Sequence, residues 1–288
     1  METTELLKRV RRIEIKTRGL TQHIFAGEYH SAFKGKGMTF SEVREYQYGD
    51  DIRNIDWNVT ARFNHPYVKI YEEERELTVM LLIDVSGSRE FASHARLKKD
   101  LITEISAVLA FSAISNNDKI GAILFSDQIE KFIPPKKGRQ HILRVIRELI
   151  YFEPRNRGTN ITCAIQYLIN AIKKRSTAFL ISDFIDEGYE DALKIGGRKH
   201  DVIALRIYDE RETELPPVGM IYMKDAETGK LIMVDSSLRK VREHYTRYWQ
   251  KKTDQIHDLM KKLGIDYADI ATHEDYVKPL MQLFEKRA

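Results

Sequence analysis

Leu77-Thr-Val-Met-Leu-Leu-Ile-Asp84-Val-Ser86-Gly87-Ser88 decides the fold of this 288-residue chain. An almost wholly apolar run this short predicts a central strand covered on both faces. A helix pattern follows, with Leu97, Leu101, Ile102, Ile105, Val108, Leu109 and Ser112 recurring at threes and fours. It closes at Asn116-Asn117-Asp118, a turn signal. Ile120–Phe125 predicts a second strand. Ser126-Asp127 turns it into an antiparallel partner over Ile129–Ile133, stopped by Pro134-Pro135.

Outward from there the pattern alternates. Helices are expected over 140–151, 161–173 and 186–195, and strands over 177–182 and 201–207. A hairpin, 219–223 with 231–234, precedes a long helix capped at Ser236-Ser237 and stopped by Gly264. A last strand, 265–270, leads to a helical tail. Strands alternating with amphipathic helices predict an α/β fold, a doubly wound and mostly parallel sheet. Ligands of such sheets sit beyond the carboxyl ends of the strands, where the strand order reverses.

Before residue 76 the pattern is irregular. Gly27, Gly35, Gly37 and Gly49 are interleaved with Tyr29, Phe33, Phe40, Tyr46, Tyr48, Trp57, Phe63, Tyr67 and Tyr71. Glycines so placed break helices, while aromatic content of this order calls for burial. The expected division is therefore 1–75, an N-terminal helix and a loop-rich layer packed on the body, and 76–288, the α/β domain. The first helix carries Leu6, Leu7, Val10 and Ile13 against Lys8, Arg9, Arg11 and Arg12. It reads better as docked on its own domain than as lying on a membrane surface.

Composition excludes several classes. With 42% hydrophobic and 31% charged residues, the chain can bury a core and is not generally disordered. A net charge of +4 is too small to argue for nucleic acid. The basic stretches at Lys136 and Lys173 read as solvated helix ends. The single cysteine, Cys163, excludes an intramolecular disulfide framework and points to a reducing compartment, so a cytoplasmic location is expected. The N-terminal stretch has charge but no apolar run, so it is not expected to act as a secretory signal. The longest apolar run, near Leu77–Ile83, is too short to be expected to span a membrane.

Three exits carry small oxygen-bearing residues: Asp84-Val-Ser86-Gly-Ser88, Arg157-Gly-Thr159-Asn160 and Ser182-Asp183-Phe184. Two carboxylates, two serines and a threonine offer hard oxygen donors, a set suited to Mg²⁺ or Mn²⁺. Taken singly, the same residues could merely cap helices or close turns.

Asp84-x-Ser86-x-Ser88, a Gly-Thr loop at Thr159 and a strand-ending Asp183 resemble the metal-ion-dependent adhesion site of von Willebrand factor A domains. The preceding segment resembles the signature of the DUF58 family of bacterial proteins: Arg44, Tyr46, Gly49, Asp50, Arg53, Asp56, Trp57 and Arg62, with Val68-Lys69 and Glu72-Glu73-Glu74. The resemblance implies an A-domain-like body, Mg²⁺ held by Asp84, Ser86, Ser88, Thr159 and Asp183, and the company of a MoxR-type AAA+ ATPase. Relatives often carry Met after the second serine. Here it is Arg89, which would either favour an acidic ligand or point to solvent.

Asp50, Arg53, Asp56 and Arg62 are expected to cluster around Trp57, as an ion-pair staple or a docking surface. The functional expectation is a non-enzymatic, metal-dependent interaction module whose protein partner supplies an acidic side chain. A metal-free scaffold is the alternative, and a metal-dependent phosphatase or hydrolase a weaker one. No phosphate loop or nucleophile elbow is present.

Overall fold

The computed structural model describes residues 13, 39–72, 77–90, 97–224 and 230–287. Contacts divide the chain into a smaller unit, Lys34–Leu77, and a larger one holding Thr78–Ala288. Ile13, helical and buried, belongs to the larger unit, while the rest of the expected first helix lies outside the described residues.

In the smaller unit, β1 (Thr39–Glu45) pairs antiparallel with β2 (Tyr67–Glu72). Between them lie a 3₁₀ turn, Ile52–Asn54, and a short helix, α1 (Trp57–Phe63). Asp51 caps the turn by accepting from the Arg53 N–H at 2.9 Å. Asp56 caps α1 by accepting from Asn58 and Val59. Two turns of helix are too few to show periodicity, so the sequence reads there as loop. The expectation that the aromatic residues are buried is corrected at three positions: Tyr48, Trp57 and Phe63 are exposed, Trp57 to 70%.

In the larger unit the described elements run β3 (Thr78–Asp84), α2 (Lys98–Ser115), β4 (Lys119–Phe125), β5 (Ile129–Lys136), α3 (Arg139–Tyr151) and α4 (Ile161–Ala171). They continue with β6 (Thr177–Ser182), α5 (Glu190–Lys199), β7 (Asp201–Tyr208), α6 (Glu210–Thr213), β8 (Met220–Lys224) and β9 (Leu231–Asp235). The chain ends with α7 (Arg239–Leu263), β10 (Asp266–Ala271) and α8 (Val277–Glu285). Six strands form one sheet in the order β10-β7-β6-β3-β4-β5, parallel except for β5. Val79 to Ile83 are wholly buried, as a strand covered on both faces requires. The chain leaves β3 for β4 on one side and later places β6 on the other, so the order reverses between β3 and β6.

Three details depart from the sequence reading. β5 continues through Pro134 and Pro135 instead of stopping before them. It is the edge strand, where a residue without an N–H leaves no ladder partner unsatisfied. α5 begins at Glu190, four residues later than expected, because Asp186 accepts from the Ile161 N–H and is held as loop. α7 is capped at Leu238, while Ser237 donates instead to Asp235.

Gly121 lies in β4 between Ile120 and Ala122, where the β4–β5 register shifts. A methyl group there would stand 2.8 Å from the Ile133 carbonyl oxygen and 2.9 Å from the Pro135 nitrogen. Both are backbone atoms, so the sheet edge itself would have to move. Gly121→Ala should cost about 1–3 kcal/mol, read as a lower urea midpoint with an unchanged slope.

Candidate metal centre

β3 delivers Asp84 to the switch point of the sheet, and the chain turns at once. The Ser86 N–H donates to Asp84 Oδ1 at 2.9 Å, and the Ser182 hydroxyl, from the end of β6, donates to Oδ2 at 2.6 Å. Gly87–Glu90 form a single 3₁₀ turn, which brings the Ser86 and Ser88 hydroxyl oxygens to 3.1 Å from each other. The Gly87 N–H donates to the Arg157 carbonyl at 2.9 Å, and this tie fixes the Arg157-Gly-Thr159 loop beside the serine turn.

The capping alternatives fail for most of these residues. α2 starts ten residues after Ser88, with Leu97 at its cap and no side chain capping it. Asn160, not Thr159, caps α4 through the Cys163 N–H. Thr159 Oγ1 is buried with no hydrogen-bond partner, an orphan acceptor beside the serine turn. Asp183 does close a turn, accepting from the Ile185 N–H at 3.2 Å, but its other oxygen is held elsewhere.

That other oxygen meets Lys98, the first residue of α2. Its ammonium lies 3.2 Å from Asp183 Oδ2 and 2.7 Å from Glu212 Oε1, with the residue 1% exposed. Glu212 is in turn fixed by a capping box with Asp209 at the start of α6. Asp84, Ser88, Lys98, Ser182 and Asp183 line a cavity of about 10 Å³, close to the size of a single water. Among the described residues no three His, Cys, Asp or Glu side chains converge, so a metal here would rest on hydroxyl as well as carboxylate oxygen.

The electrostatics separate the two aspartates. Burial, and then the nearby charge of Asp183, push the Asp84 carboxyl up to about 7. Burial acts the same way on Asp183, but Lys98 and its hydrogen bonds outweigh it and hold that carboxyl below its ordinary value. Lys98 therefore answers Asp183, while Asp84, which accepts from the neutral Ser86 N–H and Ser182 hydroxyl, is neutralised by a proton up to about pH 7, the place a divalent cation would take. The orphan Thr159 hydroxyl, the serine pair and Asp84 fit a hard divalent cation.

The sequence reading missed Lys98, Glu212 and the second-row role of Ser182. Asp209-x-x-Glu212 is a readable capping box. Lys98 gives no signal, because a lysine at a helix start looks like any solvated residue. Of the two readings of Arg89, the solvent-facing one is excluded, because the residue is buried and donates to the Phe152 carbonyl. The signature cluster is corrected too. Asp50 binds Arg44 through two bonds of 2.8 and 2.7 Å, and Arg44 draws the Asp50 carboxyl down. Asp56 serves α1 and lies 3.5 Å from Lys69. Arg53 and Arg62 are exposed, and among the described residues no ion pair joins either of them to Asp50 or Asp56. Gly49 supplies the φ of +107° that this turn needs, and Tyr46 is tied by its N–H to the Pro66 carbonyl.

Sheet order, antiparallel edge and serine turn at the switch point define an A-domain-like α/β body. The chain belongs to the DUF58 family: the family model described as "Protein of unknown function DUF58" matches residues 42–255. The uncharacterized protein Rv1480 of Mycobacterium tuberculosis H37Rv is 27% identical over 293 residues, covering 100% of this chain and 91% of its own. YeaD of Bacillus subtilis, also uncharacterized, is 31% identical over 110 residues, 38% of this chain and 25% of its own. Among solved structures, the conserved hypothetical protein BatB from Bacteroides thetaiotaomicron superposes with a TM-score of 0.51 at 18% identity, covering 73% of this chain and 98% of that one. This likeness shows the fold.

Two outcomes follow from the buried charges. Lys98→Met leaves Asp183 and Glu212 facing each other without a cation and should cost about 3–5 kcal/mol in urea unfolding. In EDTA, folded Asp84 keeps a proton that the unfolded chain has lost. Stability from this group is therefore full in the acid range and falls as pH rises from 3.8 toward about 7. Asp84→Asn should flatten that decline, which a series of urea midpoints against pH would read.

Proposed function

We propose that the body is a metal-dependent protein-interaction module and not an enzyme. The observation that carries this reading is the convergence of Asp84, Ser88 and Asp183 on one ion-sized cavity at the switch point. Asp84, Ser86, Ser88, Thr159 and Asp183 would hold Mg²⁺, or Mn²⁺, some directly and some through water. The metal would supply an open position for an oxygen anion. Since Lys98 already answers Asp183, few protein charges remain for the cation, and a carboxylate from outside is the ligand it would favour.

The partner is accordingly a protein that presents Asp or Glu, and family resemblance makes a MoxR-type AAA+ ATPase the candidate, working in the cytoplasm on assembly or remodelling. No helix among the described residues is long and apolar enough to cross a membrane. Against catalysis, the polar groups lining the cavity with Asp84 are two serine hydroxyls, Lys98, Arg89 and an Asp183 already committed to Lys98, with no histidine among them.

One observation favours a second, metal-free reading. Lys98 is itself a cation placed on Asp183, and it could complete the rim alone.

Calorimetry separates the two. Wild-type protein should take up Mg²⁺ with a heat that Asp84→Ala abolishes, and capture of the ATPase should be lost in EDTA. Equal heats from both proteins, or capture indifferent to EDTA, would leave only the metal-free scaffold. Phosphatase turnover abolished by Asp84→Ala would overturn the non-enzymatic reading.

A further inference from the structure

A second cavity, of about 690 Å³, opens beside the small one and shares Asp183 with it. Its size is that of a site for a small organic ligand or a peptide side chain with its backbone. Its walls are the β6–α5 loop, the end of β7, α6 and one face of α7. All of them belong to the larger unit.

Three features of this cavity define a ligand. The first is charge. Asp186, Glu187 and Glu190 line the loop side; of the two basic residues on the opposite walls, Lys252 pairs with Glu187 at 3.4 Å and Arg206 lies 3.6 Å from Asp269, which leaves the loop carboxylates in excess. The negative field reaches the interior: burial, then Glu190 and Asp186, keep the Tyr189 phenol from ionising. The second is aromatic surface. Tyr208, Tyr248 and Trp249 line the cavity, and Tyr248 stands half exposed at its mouth. The protein already stacks one guanidinium there, with Arg206 lying 4.8 Å from the centre of the Tyr208 ring.

The third is an orphan donor. Arg206 is 6% exposed, donates to the Thr253 hydroxyl at 3.0 Å and lies 3.6 Å from Asp269, yet its Nε–H is buried without a partner. A buried donor left unmade is costly, and a ligand oxygen would satisfy it.

We propose that this cavity binds an arginine-bearing peptide segment of a protein partner. Its guanidinium lies between the tyrosine rings and the carboxylates of Glu187 and Glu190. A backbone carbonyl of the same segment accepts from Arg206 Nε. Small anions are disfavoured by the loop carboxylates, and a bare ammonium would leave the stacking surface unused. The site stands independently of the metal reading, since none of its recognition groups is a candidate metal ligand.

The test uses the full chain in EDTA and a capped, glycine-flanked peptide with one arginine, against the same peptide carrying neutral citrulline or glutamate. The arginine peptide should shift the Trp249 indole N–H resonance, and the citrulline peptide should not. Glu187→Gln with Glu190→Gln, both at exposed positions, should weaken binding by about tenfold or more. Asp84→Ala should leave it unchanged, which separates this site from the metal centre. No shift with the arginine peptide, equal binding of citrulline, or preference for glutamate would each overturn the proposal.

Discussion

A buried ammonium organises the carboxyl-end rim of the central sheet. Lys98 reaches from the first turn of α2 to Asp183 after β6 and to Glu212 in α6, and so ties three separate crossover segments at one point. Two carboxylates and a lysine in an apolar interior are costly to desolvate, and their mutual attraction repays this only when each is held by further bonds. Here both carboxylates are: Asp183 by the Ile185 N–H, Glu212 by the Asp209 N–H. The cost explains why the triad lies at the strand ends. Only there do helix starts, turns and strand exits supply enough backbone donors.

The same triad sets the character of the neighbouring aspartate. Asp84 sits at the end of a strand whose residues are wholly buried, so it is desolvated by the fold itself. Ser182 and the Ser86 N–H each give it one hydrogen bond, which orients the carboxylate but does not neutralise it. Lys98 is committed to Asp183 and Glu212. Asp84 is thus left carrying strain that grows with pH. The divalent cation proposed above, held by Asp84 and the hydroxyls, would relieve it, and its binding would then add to stability.

How much of this could be read in advance depends on the range of the interaction. β3, α2 and β4 were legible, because a strand buried on both faces is apolar throughout and a helix beside it repeats at threes and fours. Asp84, Ser86 and Ser88 were legible, since adjacency in sequence places them in one turn. Asp183 was legible as a strand exit, because parallel strands deliver their ends to one side. Lys98 was not, for its meaning comes from Glu212, 114 residues away. The exposed Trp57 and Phe63 were misread for a related reason. Aromatic content predicts burial on average, while α1 is a two-turn helix held by its Asp56 cap and does not need its rings to fold.

Sharing of Asp183 between the two cavities has a mechanical consequence. The residue after it, Phe184, adopts a left-handed φ of +60°, rare for an aromatic side chain, and is itself 2% exposed. Its N–H is held by the Ser182 hydroxyl, which also donates to Asp84. The strained residue, the anchoring serine and both aspartates therefore form one connected piece. The larger cavity begins on the far side of that piece, along Phe184 to Glu190. The backbone there has little freedom to yield, because Lys98 holds the Asp183 carboxylate and the Ser182 hydroxyl holds the Phe184 N–H. The left-handed φ of a buried aromatic residue persists only where its surroundings over-determine it, and these two bonds do so at the strand exit.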